Sequence, residues 1–326
     1  MGAHLLYRLT SMGVSVKALK RKNSSLQLVK KIFNYYSNDS KALFSKIEWE
    51  NADLQQLDSL RILLQGVNKV YHCAGFVSYN PEDKVRIMQT NLVGTKNLLK
   101  AALEAGVDKF LYLSSIAATD KNFMRSTVTE EMVWRQETKN SNYARSKFLA
   151  ELAVLENMVY GLKSIIINPS NILGPGSWNS GTSKLIQNIW KGLTFYPEGI
   201  NGFVDVRDVA EVMILLMDSN ISGERFIVNA ENLAYKDVFK WIANALGIKT
   251  PGLRFNAIES ELAWRGIKAF SRVAGKQPPI DKESLKILRC NYYYSNEKVK
   301  SATGIRFIPI FDSIRFTTNL FLKEKK

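Results

Sequence analysis

The sequence of 326 residues has few of the side chains that bind metals. It contains two cysteines, Cys73 and Cys290, and two histidines, His4 and His72. Two cysteines so far apart do not form a disulfide framework, and the set falls short of the ligands of a structural zinc site. The HExxH and CxxC motifs are both absent. We therefore expect no metal site, no serine–histidine–acid triad, and a reducing, cytoplasmic setting.

Long apolar runs are also absent. A helix that spans a bilayer takes roughly 18 to 20 apolar residues, and the run VMILLM at 212–217 is far too short. The first residues lack the charged n-region and the cleavage site of a signal peptide. We expect no integral membrane segment.

Acidic residues are in the minority, with 30 against 45 basic residues and a net charge of +15. Such an excess fits nucleic acid or an anionic membrane surface as a partner, or a lysine-rich surface with a local site for an anionic cofactor. The basic residues are spread along the chain, with small clusters at 20–22 and 323–326. No basic–aromatic module of a known kind is present, so we expect the second case and no nucleic-acid partner.

Helix-like and strand-like segments alternate from residue 2 to about residue 170. The pattern predicts strands at 14–20, 46–50, 69–75, 109–115 and 162–170. Alternation of this kind predicts an α/β protein with a doubly wound parallel sheet of the Rossmann type and helices on both faces.

The pattern changes after residue 170. A loop rich in Gly, Pro and Ser (NILGPGSWNSG) is followed by a strand and helix, another strand, and a mostly helical remainder. We predict a dinucleotide-binding domain from 1–170 and 203–230, and a small, mostly helical substrate lobe from 171–202 and 231–326. The predicted lobe includes a helix with an apolar stripe that consists of Trp264, Ile267, Phe270 and Val273. We expect this stripe to pack in the core, and binding at a membrane surface is the alternative.

Tyr143 and Lys147 are the most informative pair of polar side chains. They are four residues apart, so on a helix they share one face. An ammonium group beside a phenol lowers the pKa of the phenol, which can then exchange a proton with a substrate oxygen near neutral pH. Tyr294 and Lys298 have the same spacing. Only the first pair follows a strand that ends in Ser114-Ser115, so we expect that pair to be functional.

These residues amount to a resemblance. The segment YARSK (143–147) matches a YxxxK motif, and LYLSSIAA (111–118) matches a strand that ends in a catalytic serine. The sequence resembles the extended short-chain dehydrogenase/reductase family, the nicotinamide-dependent epimerases, dehydratases and reductases. The resemblance implies that Tyr143 is the general acid/base, that Lys147 lowers its pKa and holds the nicotinamide ribose, and that Ser115, with Ser114 as the alternative, orients the substrate oxygen.

Other segments extend the resemblance. NLVGTKNLLKAA (91–102) is similar to the family's central helix, INPSNILGPG (167–176) to its turn beside the nicotinamide, and FVDVRDVA (203–210) to its late signature. Asp53-Leu54 resembles the pair that meets the adenine, and Ala74-Gly75 follows a strand at the same edge of the sheet. The implied cofactor-binding residues are Gly2, Arg21, Asp53, Leu54, Ala74, Gly75, Asn91, Tyr143, Lys147, Asn168, Pro169 and Ser170.

The start of the chain departs from the family pattern. The family begins with a strand, then TGxxGxxG, whose glycines let backbone N–H groups approach the pyrophosphate, and then a helix. Here the helix is present and Gly2 matches the last glycine, but on the order of ten preceding residues are absent. Either the start codon is assigned too late and the natural protein is longer, or the truncated chain is real and binds cofactor poorly. We expect the first, because the catalytic set is otherwise intact.

The cofactor preference depends on the end of the strand at 14–20. Enzymes that prefer NAD place an acid there to hold the ribose hydroxyls. This chain has Lys20, Arg21 and Lys22 and no acid. Arg21 can grip a ribose phosphate with two hydrogen bonds, so we expect NADP, with NAD as the alternative.

The sequence thus predicts an NAD(P)-dependent enzyme that moves hydride to or from a carbonyl or alcohol of a small-molecule substrate. Ile116-Ala117 stands where sugar-nucleotide dehydratases often have an acidic pair, which disfavours dehydration. A sugar-nucleotide epimerase and a non-catalytic dinucleotide-binding protein remain the alternatives. By resemblance we also expect a homodimer through the helices at about 84–105 and 143–158.

Overall fold

The computed structural model describes residues 1–119, 127–132, 140–254 and 289–325. The predicted stripe from Trp264 to Val273 lies outside these residues. The helices are α1 (Gly2–Ser11), α2 (Gln27–Tyr36), α3 (Ser40–Ser45), α4 (Leu57–Leu63), α5 (Lys84–Met88), α6 (Gly94–Glu104), α7 (Asn142–Val159), α8 (Ser183–Trp190), α9 (Val206–Asp218), α10 (Tyr235–Leu246), α11 (Glu297–Thr303) and α12 (Ile310–Lys325). The strands are β1 (Val16–Lys20), β2 (Ile47–Asn51), β3 (Lys69–His72), β4 (Lys109–Leu113), β5 (Ser164–Pro169), β6 (Asn171–Leu173), β7 (Phe195–Tyr196), β8 (Ile200–Asp205), β9 (Glu224–Val228), β10 (Glu231–Ala234) and β11 (Leu253–Arg254).

The main sheet is parallel and has the strand order β3-β4-β5-β9. A second parallel sheet consists of β1 and β2. Among the described residues, β1 pairs only with β2, and β3 pairs only with β4. The alternating pattern of the sequence therefore predicted the α/β class and the parallel strands correctly. It did not predict that these strands would form two separate sheets.

Both faces of the main sheet are covered, which explains the unbroken apolar runs of its strands. Leu111 and Leu113 of β4 pack into a core with α1 and α9. Phe110 and Tyr112, which alternate with them, pack into a second core with α4, α6 and α7. This alternation places successive side chains on opposite faces of the strand.

The helix predicted at 84–105 is broken into three parts. It forms α5, a π-helical turn (Gln89–Val93) and α6. Gly94, the first residue of α6, lies very close to Leu54, because a Cβ at Gly94 would be 2.9 Å from the Cβ of Leu54. After the π-helical turn, α6 thus begins in contact with the segment that follows β2.

The region after residue 170 contains more strand than the sequence predicted. Strands β6, β8 and β10 form a three-stranded sheet, in which β8 is central. The predicted loop at 171–181 begins with β6, since Asn171 to Leu173 pair with β8 before Gly174 and Pro175 end the strand. Strands β7 and β11 form a further short parallel pair. The strand β8 was predicted, but the expectation of a mostly helical lobe missed β6, β7, β10 and β11, because each is only two to four residues long.

Candidate active site

Ser115, Tyr143 and Lys147 come together at the carboxyl end of β4. Ser115 follows this strand and caps a short 3₁₀ turn, where its Oγ accepts a hydrogen bond from the Ala117 N–H at 3.1 Å. Tyr143 and Lys147 lie in the first two turns of α7, which begins at a Ser141 N-cap. Both side chains are buried, with exposed fractions of 7% and 4%.

The Tyr143 phenol faces Ser115. The Ser115 hydroxyl lies near the phenol, and the Tyr79 ring lies edge-on to the Tyr143 ring, with centroids 6.0 Å apart. Burial raises the pKa of Tyr143 above its ordinary value, the nearby Tyr79 adds to this, and the polar Ser115 hydroxyl acts in the opposite direction. The phenol is therefore protonated at neutral pH.

Lys147 does not act on Tyr143 as the sequence analysis predicted. Its Nζ donates to the Leu113 carbonyl oxygen at 2.8 Å and to the Tyr112 hydroxyl at 3.2 Å. The amine is thus held against β4, and burial, not a neighbouring ammonium, dominates the pKa of Tyr143. The expected lowering of the Tyr143 pKa is therefore wrong, because burial raises it. Burial lowers the pKa of Lys147 itself to about 8.

The loop after β3 lies beside Lys147. Ala74 and Gly75 are exposed, and a Cβ added at Gly75 would lie 3.5 Å from Lys147 Nζ and 3.6 Å from Asn91 Oδ1. Asn91 is buried and binds the backbone of Phe76 on both sides, accepting from its N–H at 2.7 Å and donating to its carbonyl at 2.9 Å. Its amide therefore holds the loop in place next to the exposed backbone of Gly75.

The end of β5 completes this side of the site. Asn168 donates to the Ser115 carbonyl oxygen at 2.9 Å, and its own Oδ1 is buried and has no hydrogen-bond partner among the described residues. Pro169 ends the strand, and Ser170 is 5% exposed with a hydroxyl that likewise has no partner in the described part of the chain. Buried polar atoms without partners are uncommon, so these two oxygens have spare capacity for a hydrogen bond.

Arg21 and Asp53 line a different, open cleft at the ends of β1 and β2. Its volume is about 680 Å³, and Lys22, Asn23 and Ser24 form part of its wall. Asp53 Oδ1 accepts a hydrogen bond from the Gln55 N–H at 3.0 Å. The structure brings these two predicted residues together in one cleft, and Tyr143 is not among the residues that line it.

Leu54 and Gly2, two further residues predicted to bind the cofactor, pack against other parts of the chain. Leu54 packs against the start of α6 at Gly94, and its carbonyl accepts from Asn97 Nδ2 at 2.9 Å, so it is not part of the cleft lining. Gly2 opens α1, and a Cβ there would lie 3.9 Å from the Cβ of Cys73, which follows β3. Gly2 therefore sits near the loop that carries Gly75.

Glu151 was not among the site residues predicted from the sequence. This residue lies on α7 one turn beyond Lys147 and is completely buried. Its spacing of four residues from Lys147 and eight from Tyr143 places all three on one helix face. That spacing is a signal in the sequence, but it does not reveal that the carboxylate would be buried.

Metal-binding clusters and membrane-spanning helices are both absent from the described residues. No group of three or more His, Cys, Asp or Glu side chains there is placed to hold a metal ion. In the same residues, no helix has both the length and the apolar composition needed to cross a membrane.

Curated proteins with similar sequences include two that carry the names of enzymes. The chain is 30% identical over 255 residues to sterol demethylase protein B of Methylococcus capsulatus, spanning 78% of this chain and 74% of that protein. It is 32% identical over 196 residues to cinnamoyl-CoA reductase 1 of Petunia hybrida, spanning 57% of each.

Solved structures share the fold along nearly the whole chain. A crystal structure of gox2253 matches with a TM-score of 0.81 and 27% identity, covering 99% of this chain and 95% of that one. The UDP-glucose 4-epimerase of Thermus thermophilus in complex with NAD matches with a TM-score of 0.72 and 22% identity, covering 98% and 95%. The model of the NAD dependent epimerase/dehydratase family matches residues 1–229. The chain therefore belongs to this family, and it is an NAD(P)-dependent oxidoreductase of the extended short-chain dehydrogenase/reductase type.

Proposed function

We propose that this protein is an NADP-dependent carbonyl reductase in which Tyr143 donates the proton to the substrate oxygen. The observation that carries the proposal is a buried Tyr143 phenol beside Ser115, at the carboxyl end of β4 and one helical turn from the buried amine of Lys147. Reduction of a carbonyl needs a proton donor, and a protonated tyrosine supplies one throughout the neutral range. Oxidation of an alcohol would instead need the phenolate.

The residues present fit a nicotinamide dinucleotide. Gly75 leaves room beside Lys147 that a Cβ would fill, and the buried Asn168 Oδ1 and Ser170 Oγ have no hydrogen-bond partner within the described ranges. We place the nicotinamide half beside these residues, with Lys147 at its ribose, and the adenosine half in the cleft of Arg21 and Asp53. The bound nicotinamide supplies hydride; proton transfer and orientation belong to the protein.

Three side chains would perform the protein's part of the reaction. Ser115 Oγ, which lies beside the phenol, donates its one hydroxyl proton to the carbonyl oxygen of the substrate. Tyr143 Oη gives its proton to that oxygen as negative charge develops on it. Lys147 lies one helical turn from Tyr143, and its ammonium stabilises the phenolate that remains. The burial of both residues excludes water, which strengthens these interactions.

We infer NADP as the preferred cofactor from the wall of the open cleft. Arg21, Lys22, Asn23 and Ser24 offer two cations and two polar side chains, which suit a ribose phosphate. The only carboxylate among the lining residues of that cleft is Asp53, which already accepts a hydrogen bond from the backbone of Gln55.

We also propose that residues 171–202 and 231–326 supply the substrate lobe, with β8 linking it to the dinucleotide-binding domain. The substrate is a small molecule that presents a carbonyl to Ser115 and Tyr143. Sterol demethylase protein B and cinnamoyl-CoA reductase 1 are relatives whose names point to sterol and aromatic substrates. We therefore favour an apolar or aromatic carbonyl compound over a sugar nucleotide.

One experiment separates a reductase from an epimerase. The protein is incubated with NADPH and a panel of aromatic and steroid carbonyl compounds, and in parallel with the oxidised cofactor (NAD⁺ or NADP⁺) and UDP-glucose. A reductase consumes one NADPH for each carbonyl reduced, whereas an epimerase needs the oxidised cofactor and returns it to the starting state. Conversion of UDP-glucose without net formation of reduced cofactor would replace the proposal with the epimerase alternative, and cofactor binding without turnover in either arm would favour a non-catalytic binder.

We propose that the protein forms a homodimer through α7. This helix presents an exposed apolar stripe of Leu152, Leu155 and Val159, with exposed fractions of 44%, 37% and 85%. The residues are three and four apart and therefore share a face. Charged substitutions at Leu155 and Val159 should halve the mass measured by light scattering, whereas Leu28→Glu on α2 should leave it unchanged. A monomeric mass for the parent protein would refute the dimer.

A further inference from the structure

Glu151 is a buried carboxylate for which the proposed reaction has no role. It lies on α7 on the same face as Tyr143 and Lys147, and none of its surface is exposed. A charged group in such a place is costly unless it is paired and hydrogen-bonded. Its surroundings meet that condition.

The partners of the carboxylate come from two strands of the main sheet. Asn168 of β5 donates to Oε1 at 2.6 Å, and Arg225 of β9 forms an ion pair with Oε2 at 3.1 Å. The Ser114 hydroxyl is buried nearby, but it makes no hydrogen bond within the described residues. Burial raises the pKa of Glu151, while Arg225, these polar neighbours and Lys147 act in the opposite direction.

The same carboxylate is linked to the two groups that flank Tyr143. Asn168, which donates to Glu151, also donates to the Ser115 carbonyl oxygen at 2.9 Å. The ammonium of Lys147 lies one turn before Glu151 on the helix. Glu151 is thereby linked to the Ser115 turn by hydrogen bonds through Asn168, and it acts on the Lys147 amine through its charge, without a direct hydrogen bond.

The charge of Lys147 depends on what surrounds it. Tyr112 of β4 accepts a hydrogen bond from its Nζ, while His72 at the end of β3 and Cys73 just beyond it lie near enough to interact. Burial favours the neutral amine, and Glu151, followed by Cys73, favours the charged one. Burial also raises the pKa of the Cys73 thiol, so this thiol stays neutral at neutral pH. Of the two groups, Glu151 is therefore the one whose negative charge favours the Lys147 ammonium.

We propose that Glu151 is a positioning residue of this active site: its buried carboxylate keeps the Lys147 amine charged and, through Asn168, fixes the Ser115 turn. The inference rests on the proposed function, in which a charged Lys147 assists proton transfer by Tyr143. It adds a fourth residue to the predicted set, one that touches neither substrate nor cofactor.

The test compares Glu151→Gln with Glu151→Asp. The amide keeps the shape and can still accept from Asn168, but it has lost the charge. The aspartate keeps the charge but is one methylene shorter. The control is Glu156→Gln, a change of the same kind at an exposed position of the same helix. For each variant, kcat and KM for carbonyl reduction by NADPH are measured from pH 6 to pH 10.

In the parent protein, kcat/KM should fall as the pH rises through the pKa of Lys147, which is about 8. Glu151→Gln should move this fall to lower pH by roughly one unit, which is a loss of about tenfold above pH 8 and little change at pH 6. Glu151→Asp and Glu156→Gln should keep the parental pH dependence. A role in packing alone predicts the reverse order, with the shortened aspartate worse than the isosteric glutamine and no shift of the profile.

Removal of one partner of a buried ion pair can prevent folding, because Arg225 is left uncompensated. If Glu151→Gln does not fold, the double variant Glu151→Met with Arg225→Met removes both charges and should show the same shift. A profile that superimposes on the parental one, in either variant, would overturn the role of Glu151. Full turnover by Tyr143→Phe would instead overturn the proposed function, so the two failures are distinguishable.

Discussion

The two ends of the proposed site differ in how exposed they are. At one end, Tyr143 and Lys147 are buried; the Tyr143 phenol lies beside Ser115, and Lys147 Nζ donates a hydrogen bond to Tyr112. At the other, Arg21 and Asp53 are exposed and line an open cleft. A proton transfer gains from a dry, fixed environment, whereas recognition of a ribose phosphate needs only matched charge. Changes at the two ends should therefore affect different steps.

The largest expected effect is at the buried end. Tyr143→Phe removes the proton donor but keeps the ring, and general acid catalysis contributes between about 100-fold and 10,000-fold. We expect kcat to fall by a factor in this range, while the Kd for NADPH, measured by fluorescence titration, stays within about twofold of the parent.

Tyr79→Phe is the matched control for this variant. Tyr79 contacts the Tyr143 ring edge-on but is partly exposed, at 42%, and we assign it no proton transfer. Its kcat should change far less than that of Tyr143→Phe. Equal losses in both variants would mean that ring packing, and not the phenol proton, limits the reaction.

A smaller effect is expected at the open end. Arg21→Ala removes a guanidinium that can grip a ribose phosphate, a type of hydrogen bond that contributes about 1.5–3 kcal/mol, or roughly tenfold or more in Kd. The Kd for NADPH should rise by that factor while the Kd for NADH, which lacks the phosphate, stays the same. Lys46→Ala, at an exposed cation away from the cleft, should change neither. Equal weakening of both cofactors would contradict the preference for NADP.

The smallest expected effect is a difference in pH response between the two ends. Turnover should decline as the pH rises through about 8, where Lys147 loses its proton. Binding of 2′,5′-ADP, which occupies only the adenosine end, has no contribution from Lys147 and should decline by less than about twofold from pH 7 to pH 9. Calorimetric titration at these two pH values measures it. A parallel decline of both quantities would show that the two ends are not independent.

Much of the fold was predictable because the signals were local. The runs KFLYL and SIIINP are apolar throughout most of their length, as strands covered on both faces must be, and both form central strands of the main sheet. The spacing of Tyr143 and Lys147 placed them on one face of a helix, and the strand before Ser115 located the serine. The parallel sheet then brought the three together at one edge.

The remaining features depend on contacts between distant parts of the chain. The partners of Glu151 on β5 and β9 are 17 and 74 residues away, so the sequence did not reveal its buried network. The pKa of Tyr143 was predicted to fall because only its neighbour Lys147 was considered; burial among elements far apart in the chain raises it. Strand β6 was missed because its three residues are too short to show a period.

The most direct test of the account is a crystal structure of the protein with NADP and an unreactive carbonyl analogue. We predict that the analogue's oxygen lies within hydrogen-bond distance of both Ser115 Oγ and Tyr143 Oη, that Lys147 Nζ meets the nicotinamide ribose, and that the ribose phosphate contacts Arg21. A nicotinamide bound away from Lys147, or a Tyr143 hydroxyl turned away from the analogue, would contradict it.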